Sequence, residues 1–239
     1  MGDAISNTPD LRTNCVSHQM FQDLSEIILL SVQVSGIALL ISTIIGIPVG
    51  ILIGLSRFIG RGLVTALLYT GMGFPPVVIG LFVYLLLSRN GYLGGLNLPF
   101  VPDLFTPGAM IIAQSIIAFP LVAGFTMAAV MSVDPQLKMQ VLALGATKRQ
   151  AALAILREAR IGVFVAVVAG FGSIISEVGA VMLVGGNIEG RTRVMTTAIV
   201  LETRKGNFDL ALSLGIILLA ITFLANLVIL RLQGRSAHV

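Results

Sequence analysis

From Leu24 to Leu55 the chain is almost unbroken apolar, roughly 32 residues where about 20 suffice to cross a bilayer as a helix. Hydrocarbon offers no partner to a free amide, so such a stretch must satisfy its own backbone, and a helix does so. Further apolar runs cover 62–88, 107–133, 162–187 and 210–230. With 56% hydrophobic and only 11% charged residues over 239 positions, the composition excludes an ordinary soluble domain. The expected fold is all-α, a polytopic membrane protein of five spans. Residues 24–230 form the membrane domain, 1–23 a polar periplasmic tail and 231–239 a cytoplasmic tail.

Charge sets the orientation. Arg57 and Arg61 follow the first span, five Lys or Arg fall within 134–161, and Arg231 and Arg235 close the chain. Nine basic residues then lie inside against six outside, which places the N-terminus out and the C-terminus in. A formal charge of +4 and a pI of about 9.7 follow from these basic loops and carry no nucleic-acid signal. Cys15 is the single cysteine, so no intrachain disulfide is possible. His18 and His238 both lie in terminal segments, which leaves the spans without histidine for a metal site or a catalytic triad. No basic stretch runs directly into a short apolar core at the start, so no cleaved signal peptide is expected.

Within the spans, Gly46, Gly50 and Gly54 share one helical face, a stripe that lets a second helix approach closely. Pro75 and Pro76, inside GMGFPPVVIG, remove backbone donors mid-span, and a break there borders either a packing kink or a pathway. The third span carries Gln114, Ser115 and a central Pro120. Glu177 is the carboxylate well inside a span, with Ser173 and Ser176 nearby on the helix. Its burial would cost about 2.5 to 3.5 kcal/mol on insertion scales, so it must face protein or water. It serves as a gate or proton site, or it simply orients a helix by a hydrogen bond. Residues 89–106 form an outer loop, and 188–209 a second whose apolar piece is too short to cross. That second loop holds four outward cations: Arg191, Arg193, Arg204 and Lys205.

The stretch 134–161 interrupts the apolar pattern with charge. Asp134 before Pro135 is an N-cap with proline at the first helical position, and Gly145 is a C-cap. Thr147 with Gln150 three residues on is a capping box, so a second helix starts at once. Leu137, Val141 and Leu144 are expected on one face of the first helix, and Ala151, Ile155 and Ala159 on one face of the second. Two short helices hinged at Gly145 make a knob at the cytoplasmic surface. Outside, Gly185-Gly186-Asn187-Ile188-Glu189-Gly190-Arg191-Thr192 nearly spells a phosphate-binding loop, but it follows a membrane span instead of a strand.

The segment LALGATKRQAALAILREARIG resembles the cytoplasmic coupling loop of binding-protein-dependent ABC importer permeases, usually Glu-Ala-Ala, three residues, Gly, and then Ile-x-Leu-Pro. Gly145, Ala146, Thr147 and Ile155 fall on that pattern. The Glu-Ala-Ala positions read Met139, Gln140 and Val141, and the Leu-Pro positions read Arg157 and Glu158. The likeness runs from about residue 27 to 230. Within it, GFPPVVIG and EVGAVMLVGGNIEGRTRVMTTAIVLETRKGNFDLALSLG look like the molybdate and tungstate branch, in a form similar to tungstate-uptake permeases.

The resemblance implies a type I importer permease fold in a prokaryotic inner membrane and a homodimeric path for an oxyanion. It implies two cytosolic ATPase subunits holding ATP and Mg, and a periplasmic or lipid-anchored oxyanion-binding protein. This chain would carry no cofactor or metal, and no catalytic residue. Leu144, Gly145, Ala146, Thr147, Lys148 and Ile155 would couple to the ATPase. Pro75, Pro76, Ser173, Ser176 and Glu177 would border the path or gate, and Arg191, Arg193, Arg204 and Lys205 would dock the binding protein. The alternatives are molybdate or sulfate as cargo, or an ion-coupled secondary carrier built on Glu177.

Overall fold

The computed structural model describes residues 9–56, 58–96 and 101–235. Residues 1–8 of the expected tail, Arg57, residues 97–100 of the outer loop and residues 236–239 lie outside the described residues. The elements are α1 (Pro9–Leu55), α2 (Arg61–Met72), α3 (Pro76–Leu87), α4 (Pro107–Met131), α5 (Pro135–Ala143), α6 (Lys148–Glu158), α7 (Arg160–Ile175), α8 (Gly179–Gly185), α9 (Met195–Lys205) and α10 (Phe208–Arg235). One difference from the sequence reading is the start of α1. It begins at Pro9 instead of near Leu24, and no Gly or Pro between Asp10 and Asp23 interrupts it.

α4 is the centre of the bundle, and its partners meet it through small residues. Val122, Ala123, Thr126, Met127 and Val130 of α4 lie directly against Gly46, Gly50 and Gly54 of α1, so the expected glycine stripe is a packing seam. A Cβ on Gly50 would fall 2.5 Å from the Ala123 carbonyl oxygen. Beside this seam Gly170 of α7 meets the other methyl of Val122, and Gly71 of α2 meets Pro120. Ser42 of α1 donates to the Ser115 carbonyl at 2.9 Å, adding a polar tie to the same seam.

Four apolar clusters stack along α1 and α4 and give the chain its vertical order. Val34, Met110 and Ala113 lie in the first, Ala38 and Ile117 in the second, and Ile53, Ala123 and Met127 in the third. Val130, Ile155 and Ala159 form the fourth, with Ile51 and Leu55 against them. α1 and α4 therefore run parallel, and both end on the side that carries the knob of α5 and α6. α2 starts at the third cluster, through Leu68, and α3 ends in the first, through Val83 and Leu87. α7 starts in the fourth through Ala159, its preceding residue, and α8 ends in the first through Val181 and Val184.

These two pairs are broken, not merely kinked. The axes of α2 and α3 differ by 99°, and those of α7 and α8 by 58°. Among the described residues three helices are long and apolar enough to cross alone, and the crossings number up to five if each bent pair counts as one. Pro76 opens α3 at its first position after Pro75 in an extended conformation, so the tandem prolines end one helix and start another.

Candidate functional site

The knob is built as its capping residues dictate. Asp134 accepts from the Gln136 amide at 2.8 Å. The Thr147 hydroxyl accepts from the Gln150 amide at 3.3 Å, while the Gln150 carboxamide oxygen takes the Thr147 amide at 2.7 Å, a complete capping box. Between the helices Gly145 holds φ +85°, and a Cβ there would touch nothing, so the demand on this residue is conformational only. Ala151, Ile155 and Ala159 are buried as the periodicity predicts and anchor α6 on Val130. Ile155 therefore holds the knob in place and is not part of its outer surface. Leu144 departs from its expected face: Leu137 and Val141 are half-buried, but Leu144 is 88% exposed. Met139, in the place of the usual glutamate, is 63% exposed, and Leu142 and Leu153 are exposed too. Ala146 is half-buried, whereas Thr147 and Lys148 face outward. Leu144, Met139 and Leu142 thus give the charged knob an exposed apolar tip.

Sequence reasoning placed Pro75, Pro76, Ser173, Ser176 and Glu177 near a pathway without relating the two groups. The structure sets the two helix breaks side by side. Val77, in the first turn of α3, lies against Gly179 at the start of α8, and Gly80 meets Ala180 at backbone contact. Gly73, Phe74, Pro75 and Ser176 are exposed at these breaks. Unwound backbone at membrane depth is tolerated only against protein or water, so the polar backbone of the two breaks is turned away from lipid.

Glu177 sits at the break and not within a helix. Its Oε1 accepts from the Ala180 amide at 2.9 Å, capping α8, and its carbonyl accepts from the Thr196 hydroxyl at 3.0 Å. Ser176 donates to backbone carbonyls of its own helix, so the two serines and the carboxylate do not form one side-chain cluster. Gln114, which the sequence gave no role, is buried in α4 and donates to the Ile174 carbonyl at 3.0 Å, at the end of α7. A polar residue in mid-span was the signal for it. We expect Glu177→Gln to keep uptake with an unchanged pH profile, because an amide oxygen can still cap α8. Glu177→Ala should lower stability by about 1 kcal/mol. Uptake assayed between pH 5 and 8, with thermal unfolding beside it, checks both.

The outer loop folds on itself. The amides of Arg191, Thr192 and Arg193 all donate to the Ile188 carbonyl, so the near-phosphate-loop spelling makes a closed turn and not an anion cradle. The four cations are also unequal. Arg193 pairs with Glu189 at 3.4 Å, its side chain 17% exposed, and Lys205 pairs with Glu202 at 2.7 Å. Arg191 and Arg204 are exposed with no ion pair among the described residues.

α9 stands behind this loop. Its first amide, at Met195, donates to Ser31 of α1 at 2.8 Å, and Thr196 ties it to the Glu177 break. At its far end Glu202 is buried and accepts from Asn207 at 2.8 Å as well as from Lys205. The hydrogen bonds from Asn207 and then Lys205 hold its carboxyl below the ordinary value. A carboxyl depressed on folding adds stability above its unfolded pKa and loses it as pH falls through the folded one. Amide hydrogen exchange at the end of α9, divided by its intrinsic rate at each pH, should therefore be flat at neutral pH and accelerate below the usual carboxylate range. In Glu202→Gln that acid-induced acceleration should vanish.

Among the described residues no group of three or more His, Cys, Asp or Glu is placed to hold a metal ion.

A parallel α1–α4 seam, two adjacent broken helices and a capped two-helix knob on one side define a membrane permease. Residues 46–237 match the model for the binding-protein-dependent transport system inner membrane component, and the chain belongs to that family. It is a multi-pass protein of the inner membrane. It is 43% identical over 211 residues to a probable anion ABC transporter permease protein of Haloferax volcanii, with 86% of this chain and 89% of the relative covered. It is 44% identical over 207 residues to TupB, the tungstate uptake system permease protein of Peptoclostridium acidaminophilum, with 87% and 89% covered. Among solved structures, the inward-facing MetNI methionine ABC transporter superposes with a TM-score of 0.75 over 91% of this chain and 98% of that one, at 18% identity. That likeness gives the ABC importer permease fold.

Proposed function

We propose that this chain is the membrane-spanning subunit of an importer that carries an oxyanion, tungstate, into the cell. Two copies enclose the path, two cytosolic ATPase subunits beneath supply ATP and Mg, and a periplasmic or lipid-anchored binding protein delivers the anion from above. The observation that carries the reading is the knob. Met139 and Leu142 of α5 and Leu144 just past its end stand exposed, an apolar tip that a partner below the membrane would cover. ATP-driven closure of the partner would move the knob, and α6, fixed to Val130 and Ala159, would pass that motion to α4 and α7.

The path side of the chain would be the face of the paired breaks, with Pro75, Pro76, Ser173, Ser176 and Glu177 beside it. Arg191 and Arg204, the two of these four cations with no ion pair among the described residues, would meet the binding protein, while Arg193 and Lys205 are already matched by Glu189 and Glu202. Tungstate as cargo is supported by the likeness to a tungstate-uptake permease and by the outer-loop sequence. Uptake into cells with and without this chain, measured by elemental mass spectrometry under competing molybdate and sulfate, tests the cargo. Tungstate import that depends on the chain and resists equimolar competitors is expected; import displaced equally by molybdate or sulfate would remove the preference.

A further inference from the structure

The 99° bend between α2 and α3 leaves the inside of the elbow unfilled, because both helices turn away from one another while each still packs on α4. The result is a groove of about 550 Å³, bounded by Val49 and Ile53 of α1, Leu67 and Gly71 of α2, Phe82 of α3 and Phe119 of α4. Every residue that lines it is apolar. Leu67, Phe74, Val78 and Phe82 are well exposed there. The groove's edge at the start of α2 is different. The N-cap is Gly60, which offers no side chain, and the amides of Gly62 and Leu63 meet no acceptor among the described residues. Arg61 beside them donates one Nη2 bond to the Gly54 carbonyl at 3.1 Å and makes no ion pair among the described residues. Ile53, one residue before that carbonyl, is in the groove wall, so the cation and the apolar channel adjoin. Leu55 packs against Val130 and Ile155, which puts this edge on the side of the knob.

We propose that the elbow is a binding site for one anionic phospholipid of the knob-side leaflet, an acyl chain in the groove and the phosphate at Arg61 and the bare start of α2. Each half of the site matches one half of such a molecule. An acyl chain gains about 0.8 kcal/mol per methylene shielded from water, but lipid already shields it, so the selective part is the headgroup. The phosphate meets a fixed cation, two free amides and the positive end of a 12-residue helix. A second copy of the chain fits less well. The least covered of its three long apolar helices, α10, carries Arg231 at the end on the same side, cation against cation. The site owes nothing to the identity of the transported anion.

The test uses the purified full chain in mild detergent, titrated with phosphatidylglycerol and separately with phosphatidylcholine, bound lipid being counted by native mass spectrometry. One phosphatidylglycerol per chain is expected, held at least tenfold more tightly than phosphatidylcholine, with the preference lost in Arg61→Gln. Equal retention of the two lipids by the unsubstituted chain would overturn the proposal. Since Arg61 also closes the end of α1, a second measurement leaves it in place. Phe82→benzoylphenylalanine, irradiated in vesicles containing phosphatidylglycerol, should yield an adduct of one phospholipid mass. An adduct of two chains, or none, would overturn the assignment.

Discussion

Gly145→Val is expected to separate ATP hydrolysis from transport. The backbone at Gly145 stands at φ +85°, where a β-branched residue is strained by about 1 to 3 kcal/mol. Nothing lies within 4 Å of the missing Cβ, so the whole effect comes from the backbone and none from a clash. The strain relaxes by turning α5 against α6, the two helices whose relative setting presents Leu144 and Met139. α6 stays seated through Ile155 and Ala159, so the membrane domain keeps its fold and its level in the membrane. With a partner ATPase present, uptake should fall about tenfold or more while hydrolysis continues. Gly145→Ala, less crowded at positive φ, should fall between. Uptake and phosphate release measured on the same vesicles decide it; normal uptake in Gly145→Val at normal protein level would remove the hinge from the account.

The largest stability effect is expected at Gly50. A leucine there must place its Cβ 2.5 Å from the Ala123 carbonyl oxygen and 2.8 Å from the Thr126 Cβ. Both neighbours belong to a helix that is itself wedged between α1, α2 and α7, so neither can retreat. Overpacking of a tight core costs about 1 to 3 kcal/mol and more when backbone is the obstacle. We expect Gly50→Leu to yield little monodisperse protein, and Gly50→Ala to unfold at a clearly lower temperature. Gly36 lies on the same helix with open space around its Cβ, and Gly36→Leu should unfold with the native chain. Thermal unfolding by size-exclusion recovery compares the three. Equal recovery of the Gly36 and Gly50 variants would mean the seam does not hold the bundle together.

What the sequence could reveal was written locally. The Gly46, Gly50 and Gly54 spacing named a close helix contact without naming α4, and Thr147 with Gln150 specified a helix start that the structure reproduces bond for bond. Periodicity also put Ala151, Ile155 and Ala159 inside. What it missed depends on residues far apart in the chain. The Ser31 bond to Met195 joins positions 164 apart, and without it α9 is only an apolar piece too short to cross. Tandem prolines signal a break, but the 99° turn follows from where α4 and α8 receive the two halves. Glu177 looked like a buried charge on a helix because the break after Ile175 has no proline to mark it. Likewise four outward cations became two once Glu189 and Glu202 were seen beside Arg193 and Lys205. Leu144 follows the spacing of Leu137 and Val141 on paper, but α5 has already ended at Ala143.

On the proposed reading, the energy for transport enters this chain from a separate ATPase through the knob. The direct measurement is tungstate accumulation in vesicles holding the purified chain, alone and with its ATPase subunits, with binding protein and tungstate supplied to the outer face and ATP to the knob face. Accumulation is expected only with the ATPase subunits and hydrolysable ATP, and none from the chain alone under a proton or sodium gradient. Gradient-driven accumulation by the chain alone, lost in Glu177→Gln, would contradict that reading.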